Sequence, residues 1–100
     1  MTIFENKVLS LVTKIPYGQV STYQIIAIKL GAKGLARAVG NALRKNPRLV
    51  KIPCHRVIKS NGTLGGYALG LAKKAQLLQN EGIRSERGKV ADWAKYLYHF

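Results

Sequence analysis

Apolar residues fall along the chain in helical stretches separated by glycines and prolines. In the first stretch Phe4, Val8, Leu11, Val12 and Ile15 recur at the spacing that places them on one helix face. Thr2 and Glu5 stand ahead of them as T-x-x-E, a capping box, so a helix is predicted from near Ile3, ending before Pro16 and Gly18. Ser21 and Gln24 make a second box, S-x-x-Q. It predicts a helix carrying Tyr23, Ile26, Ala27 and Leu30 and stopping at Gly31. A third helix is predicted from about Gly34 to Lys45, ahead of Asn46-Pro47. Its buried stripe is Leu35, Val39, Ala42 and Leu43, with Arg37, Asn41 and Arg44 on the opposite face.

Beyond Pro47 the pattern shortens. Leu49-Val50-Lys51-Ile52 and Arg56-Val57-Ile58 have strand character, Asn61-Gly62 signals a turn, and Gly65, Gly66 and Gly70 bracket Tyr67 in a loop. A fourth helix carries Leu71, Ala75, Leu77 and Leu78 and ends at Glu81-Gly82. Trp93, Tyr96, Tyr98 and Phe100 are expected to pack the tail onto the core; a stacking platform for bases is the alternative. The expected class is therefore mainly α with a short β element. Helices two and three, joined through a glycine turn with the second basic outside, suggest a helix-turn-helix. A plain three-helix bundle has the same pattern. Ala36, Ala38 and Gly40 around Arg37 leave the third helix slim enough to approach a phosphate backbone or a narrow groove closely.

Length and charge sharpen this picture. One hundred residues bound the chain to one domain, residues 1–100, with a modest core. A 47% hydrophobic and 21% charged composition excludes disorder. No apolar run approaches the roughly 18 residues that span a bilayer, so no membrane partner is expected. The start MTIFENKVLS lacks the pattern of a signal peptide, and a cytoplasmic or nucleoid-associated location is the expectation. One cysteine cannot form an internal disulfide. Cys54, His55, His99 and a few carboxylates have poor spacing for zinc, so no metal or cofactor is expected. Seventeen Lys and Arg against four Asp and Glu give a net charge of +13, spread along the chain. Nucleic acid is the favoured partner for such a cation; a generally basic soluble protein is the other reading.

Chemistry concentrates in Ile52-Pro53-Cys54-His55-Arg56-Val57. With Pro53 opening a helical turn, Cys54 would sit at its positive end, where a thiolate is stabilised, and Arg56 adds charge nearby. His55 is positioned in sequence to act as a base. Adjacent residues on a helix do not face each other, so a bent backbone or a bridging water is required. A carboxylate should orient the imidazole, and of the four acids Glu81, ahead of Gly82, is the best candidate. These residues alone leave open a buried, inert cysteine beside a structural histidine.

Pro53-Cys54-His55-Arg56-Val57 resembles the active-site motif of the O6-alkylguanine-DNA alkyltransferases. Arg37-Ala38-Val39-Gly40 and Asn46-Pro47 stand at matching distances upstream. Gly65-Gly66-Tyr67, Leu71-Ala72 and Glu81-Gly82 follow downstream, and Val20-Ser21-Thr22-Tyr23 resembles the start of the family's helix-turn-helix. The resemblance covers roughly residues 3 to 83. It implies a winged helix-turn-helix-like catalytic domain that binds duplex DNA through the minor groove and flips O6-alkylguanine into a pocket. The thiolate takes the alkyl group irreversibly, in one turnover. It further implies Cys54 as nucleophile, His55 as its base through water, and Glu81 as support for His55. Tyr23 matches the base-contacting tyrosine, and Arg37 the finger that replaces the flipped base in the stack. Asn46 matches the tie between recognition helix and active-site segment, and Tyr67 a pocket wall. The carbonyls of Cys54 and Val57 are implied acceptors for the guanine amino group, and the Ala68 amide a donor to O6.

Many relatives have an additional N-terminal domain, so the expectation here is the catalytic domain standing alone, as a monomer. Ala68 stands where many relatives have Ser. Leu69 occupies an often small site and should narrow the pocket. Short length also resembles the alkyltransferase-like proteins, which bind alkylated guanine without repairing it and flag it for excision repair. In those the cysteine is usually replaced. Cys54, His55 and Glu81 together place alkyl transfer first and lesion binding second, with a basic winged-helix regulator last.

Overall fold

The structure is a computed structural model describing residues 1–100. Helix α1 spans Ile3–Val12 and starts at the predicted box: Thr2 Oγ1 accepts from the Glu5 amide at 3.0 Å, and the Glu5 carboxylate accepts from the Thr2 amide at 2.9 Å. Glu5 also meets Lys45 Nζ at 2.6 Å, which ties α1 to the residue after α3. Strand β1 (Ser21–Thr22) runs directly into α2 (Tyr23–Lys29), and α3 spans Ala36–Arg44. After the 3-10 turn Cys54–Arg56 come β2 (Val57–Ile58), α4 (Leu71–Asn80), β3 (Ser85–Glu86) and β4 (Lys89–Val90). A last 3-10 turn spans Trp93–Tyr96. The mainly helical class with a short β element is the one read from the sequence.

Strands β1 and β2 pair in parallel, Ser21 with Val57 and Thr22 with Ile58. This pairing sets the first turn of α2 beside the Cys54 turn and so builds the site. Two apolar clusters support it. Val8, Val12, Ile26, Ala27, Val39, Cys54 and Val57 join α1, α2 and α3 to the cysteine turn. Val20, Ile58, Leu64, Leu78, Ile83 and Val90 lie beneath β2 and α4. Each fully buried aliphatic side chain contributes about 1.5–3 kcal/mol. The tail packs as expected: Tyr98 and Phe100 lie on the first cluster, Trp93, Tyr96 and Leu97 on the second.

Several boundaries differ from expectation. The cap of α2 is Thr22, whose Oγ1 accepts from the Ile25 amide at 3.0 Å. Ser21 is fully buried in the β1–β2 pair, so its hydroxyl cannot serve the S-x-x-Q box. Helix α3 begins later than Gly34 because that glycine adopts φ +89°, outside the helical region. Leu35 therefore precedes the helix and is 50% exposed, while Val39, Ala42 and Leu43 are buried as expected. Leu49–Ile52 is a turn, not a strand, closed by the Ile52 amide on the Arg48 carbonyl at 2.9 Å. Val50 sits there at φ +73°, a costly conformation for a β-branched residue. Arg56 belongs to the 3-10 turn and not to β2.

Candidate active site around Cys54

Pro53 caps the 3-10 turn rather than occupying its first position. A turn this short has little dipole, and Cys54 is 5% exposed within the first apolar cluster. Burial pushes its thiol pKa up, although the Asn46 amide and the nearby Lys74 charge oppose the rise. The expected stabilisation of a thiolate by the turn is thus corrected: burial favours the neutral thiol.

His55 follows Cys54 in the turn. It is 1% exposed, and Nε2 lies 2.8 Å from Glu81 Oε2. Burial opposes ionisation of Glu81, but Arg56, the Gly18 amide and His55 outweigh it and hold its pKa below the ordinary value. An ionised carboxylate only accepts, so Nε2 carries the hydrogen and Nδ1 presents a lone pair. Nδ1 is buried and has no partner within the protein. Burial also lowers the His55 pKa below its usual 6.5, against the opposing pull of Glu81, so the ring is neutral at neutral pH. No direct hydrogen bond joins His55 to Cys54, in keeping with the expected need for a mediator.

Glu81 is itself held in place. Arg56 Nε reaches its two oxygens at 2.9 and 3.1 Å, and the Gly18 amide donates to Oε1 at 2.8 Å. Arg56 Nη1 also donates to the Ile15 carbonyl at 2.8 Å, and its guanidinium lies 5.7 Å from the Tyr17 ring centre. Arg56 therefore orients the histidine's partner instead of adding charge at the thiol. Asn46, buried at the end of the α3 segment, donates through Nδ2 to the Ile52 carbonyl at 2.9 Å and to Cys54 Sγ at 3.3 Å. Its Oδ1 accepts from the Arg48 amide at 2.8 Å. The predicted tie between helix and active-site segment is present in this geometry.

Cys54 opens onto a cavity of about 780 Å³. One wall is helical, with Tyr23, Gln24, Ala36, Arg37, Gly40, Asn41, Leu43 and Arg44. The other is the loop after β2, with Lys59, Ser60, Asn61, Gly66, Tyr67 and Ala68. Of the predicted residues, Tyr23, Ala36, Arg37, Gly40, Cys54, Tyr67 and Ala68 line it. Ala38 is on α3 but not on this wall, and His55 and Glu81 stand behind the thiol. Asn46 and Val57 are buried and do not line the cavity. The Val57 carbonyl accepts from Lys74 Nζ at 2.6 Å, so it already has a donor.

Lys74 is a residue of this site that the sequence did not reveal. It is fully buried, and its ammonium also donates to the Gly66 carbonyl at 3.1 Å and stands 3.4 Å from the Tyr23 hydroxyl. No carboxylate pairs with it. Burial lowers its pKa to about 8, against a small opposing effect from Cys54. Burial and the nearby Cys54 raise the Tyr23 pKa to about 12, so its hydroxyl stays a donor across physiological pH. The one available signal was phase: Lys74 stands four residues before Leu78, on the buried face of α4.

Fold and site define a small helix-turn-helix protein with a buried cysteine centre facing a cation-lined cavity. The chain belongs to the family described as 6-O-methylguanine DNA methyltransferase, DNA binding domain, which it matches over residues 3–83. It is 49% identical over 81 residues to a methylated-DNA–protein-cysteine methyltransferase of Salmonella typhimurium, covering 81% of this chain and 47% of that protein. The chain thus spans about half the length of such curated relatives. It resembles Mycobacterium tuberculosis OGT solved in complex with DNA (44% identity, TM-score 0.79, 81% of this chain, 50% of that one). It also resembles S. pombe Atl1, solved with damaged DNA containing O6-carboxymethylguanine, over 100% of both chains, with 32% identity and TM-score 0.84.

Proposed function

We propose that this protein binds duplex DNA and reverses O6-alkylguanine damage by moving the alkyl group to Cys54 once and irreversibly. The observation that carries this reading is the buried Glu81–His55 pair at the Cys54 turn, with Nδ1 of His55 left without a partner in the protein. In the reaction His55 takes the thiol proton through a water, and Glu81 stabilises the imidazolium that forms. The Cys54 sulfur forms a bond to the alkyl carbon as the bond to O6 breaks. The electron pair leaves on the guanine, which regains a proton from a donor in the pocket. Tyr23 is the proposed donor, supported by Lys74 behind it. The Ala68 amide supports O6, and the Tyr67 ring forms the wall. Arg37, exposed on α3, fills the stack after extrusion through the minor groove, and the other cations neutralise phosphates. The protein acts as a monomer in the cytoplasm or on the nucleoid, with the proposed catalytic and DNA-binding residues in one domain.

A second reading is favoured by the full-length match to Atl1: lesion binding that flags the base without transfer. Repair restores cleavage at a restriction site blocked by one O6-methylguanine. The proposal expects restoration stoichiometric with protein, none with Cys54→Ser, and lesion-selective binding by both. Absence of restoration by the wild type, with selective binding intact, supports the second reading instead.

A further inference from the structure

Residues 84–100 lie beyond the family match, which ends at Ile83, yet they hydrogen-bond to the segments that carry the two walls of the cavity. On the loop wall, the Val90 amide donates to the Gly62 carbonyl and the Leu64 amide to the Gly88 carbonyl, each at 2.9 Å, with Thr63 paired to Lys89. Trp93 lies directly on Gly62. A Cβ built on that glycine would come within 2.3 Å of the indole, and its φ of +89° also suits only glycine. On the helical side, the Val20 amide donates to the Tyr96 carbonyl at 2.9 Å, and the Tyr98 amide donates to the Val20 carbonyl at 2.7 Å. Val20 leads through β1 into Tyr23. Between the two walls Gly65 is pressed against Tyr23, where an added Cβ would lie 2.7 Å from the hydroxyl.

We propose that Arg84–Phe100 is a strap that fixes the separation of the two pocket walls and thereby sets which O6 adducts enter, with Trp93 as its positioning residue. This rests on the reading of the cavity as the seat of the extruded base. The strap completes the order of the loop when the chain folds, so little ordering is left for the moment of base entry. Without Trp93 the Lys59–Ala68 loop has to be ordered by the base itself. Ordering a single residue at that step costs about tenfold in affinity. A yielding wall also discriminates less between a small and a bulky adduct.

The test compares full-length wild type, Trp93→Ala and Trp93→Phe in single-turnover transfer from duplexes carrying O6-methylguanine or O6-benzylguanine. Trp93→Ala is expected to raise the half-saturating concentration for the methyl duplex about tenfold and to narrow the methyl-to-benzyl ratio. The limiting rate, and the rate of Cys54 alkylation by iodoacetamide, should stay within about twofold of wild type. Trp93→Phe, which keeps a ring on Gly62, should restore most of the loss. Amide exchange at Gly62–Gly66 should speed up in Trp93→Ala while that of α1 does not. A folded Trp93→Ala protein with wild-type saturation, adduct ratio and exchange overturns the strap. So does a limiting rate that falls in step with iodoacetamide reactivity, since that marks a damaged centre. If wild type transfers nothing and ignores the lesion, the functional reading fails, while the exchange experiment still decides whether Trp93 holds the loop.

Discussion

Lys74 offers a test with a magnitude set by the structure. It is a fully buried cation with three oxygen neighbours and no counter-charge, and its pKa is held at about 8 against 10.5 for the ordinary side chain. That gap corresponds to about 3 kcal/mol of stability withheld at neutral pH. The sign follows from proton counts. Between about pH 8 and 10.5 the folded protein has shed the Lys74 proton while the unfolded chain keeps it, so stability from this group rises with pH. Below pH 8 both states are charged and the deficit is constant. Cys54 and Tyr23 act in the opposite sense, because burial raises both. The comparison therefore has to be made against Lys74→Met, in which those groups remain. Urea unfolding at pH 7, 8, 9 and 10 is the assay. The wild type should gain about 2 kcal/mol relative to Lys74→Met between pH 8 and pH 10. Below pH 8 the variant escapes the desolvation cost but removes one donor from each of the Val57 and Gly66 carbonyls, which offsets part of its gain. A difference between the two proteins that stays flat from pH 7 to 10 refutes the account of Lys74 as a buried, unpaired ammonium.

Glu81→Gln keeps a hydrogen-bond partner for His55 but removes the charge that stabilises the imidazolium, so transfer should slow by about a hundredfold or more. Because burial lowers the His55 pKa, the acid limb of the wild-type rate should lie below pH 6.5. Removing the opposing pull of Glu81 should move it lower still, and a limb that moves upward contradicts the assignment. Arg37→Ala should slow reaction with duplex DNA by about tenfold or more while leaving free O6-benzylguanine nearly unaffected, since only the duplex requires extrusion. Equal losses on both substrates rule out the finger role. Binding by the wild type should fall steeply between low and moderate salt, and a flat salt response contradicts phosphate neutralisation.

What the sequence showed and hid follows physical lines. The Thr2–Glu5 box was legible because its partners are local and reciprocal. Val39, Ala42 and Leu43 were legible because helical period alone selects a buried face. Thr22 displaced Ser21 as the α2 cap because a long-range parallel pairing buries Ser21, and no local pattern encodes that pairing. Lys74 was hidden for a related reason: next to Lys73 it resembles a solvated face, and only the fold brings the Val57 and Gly66 carbonyls to it. Arg56 was placed beside the thiol by sequence adjacency, whereas space directs its guanidinium to Glu81. Cys54, His55 and Glu81 came from motif order, and the fold joins His55 to Glu81 at 2.8 Å. The raised thiol pKa did not follow from motif order, since burial, not the turn, governs it.

The central claim is that Cys54 becomes the permanent acceptor of the alkyl group. Intact-protein mass after incubation with a duplex containing one O6-methylguanine tests it directly, with peptide mapping to locate any change. The account predicts a gain of one methyl per molecule, confined to the peptide that carries Cys54 and absent in Cys54→Ser. An unchanged mass, with tight and lesion-selective binding, contradicts it.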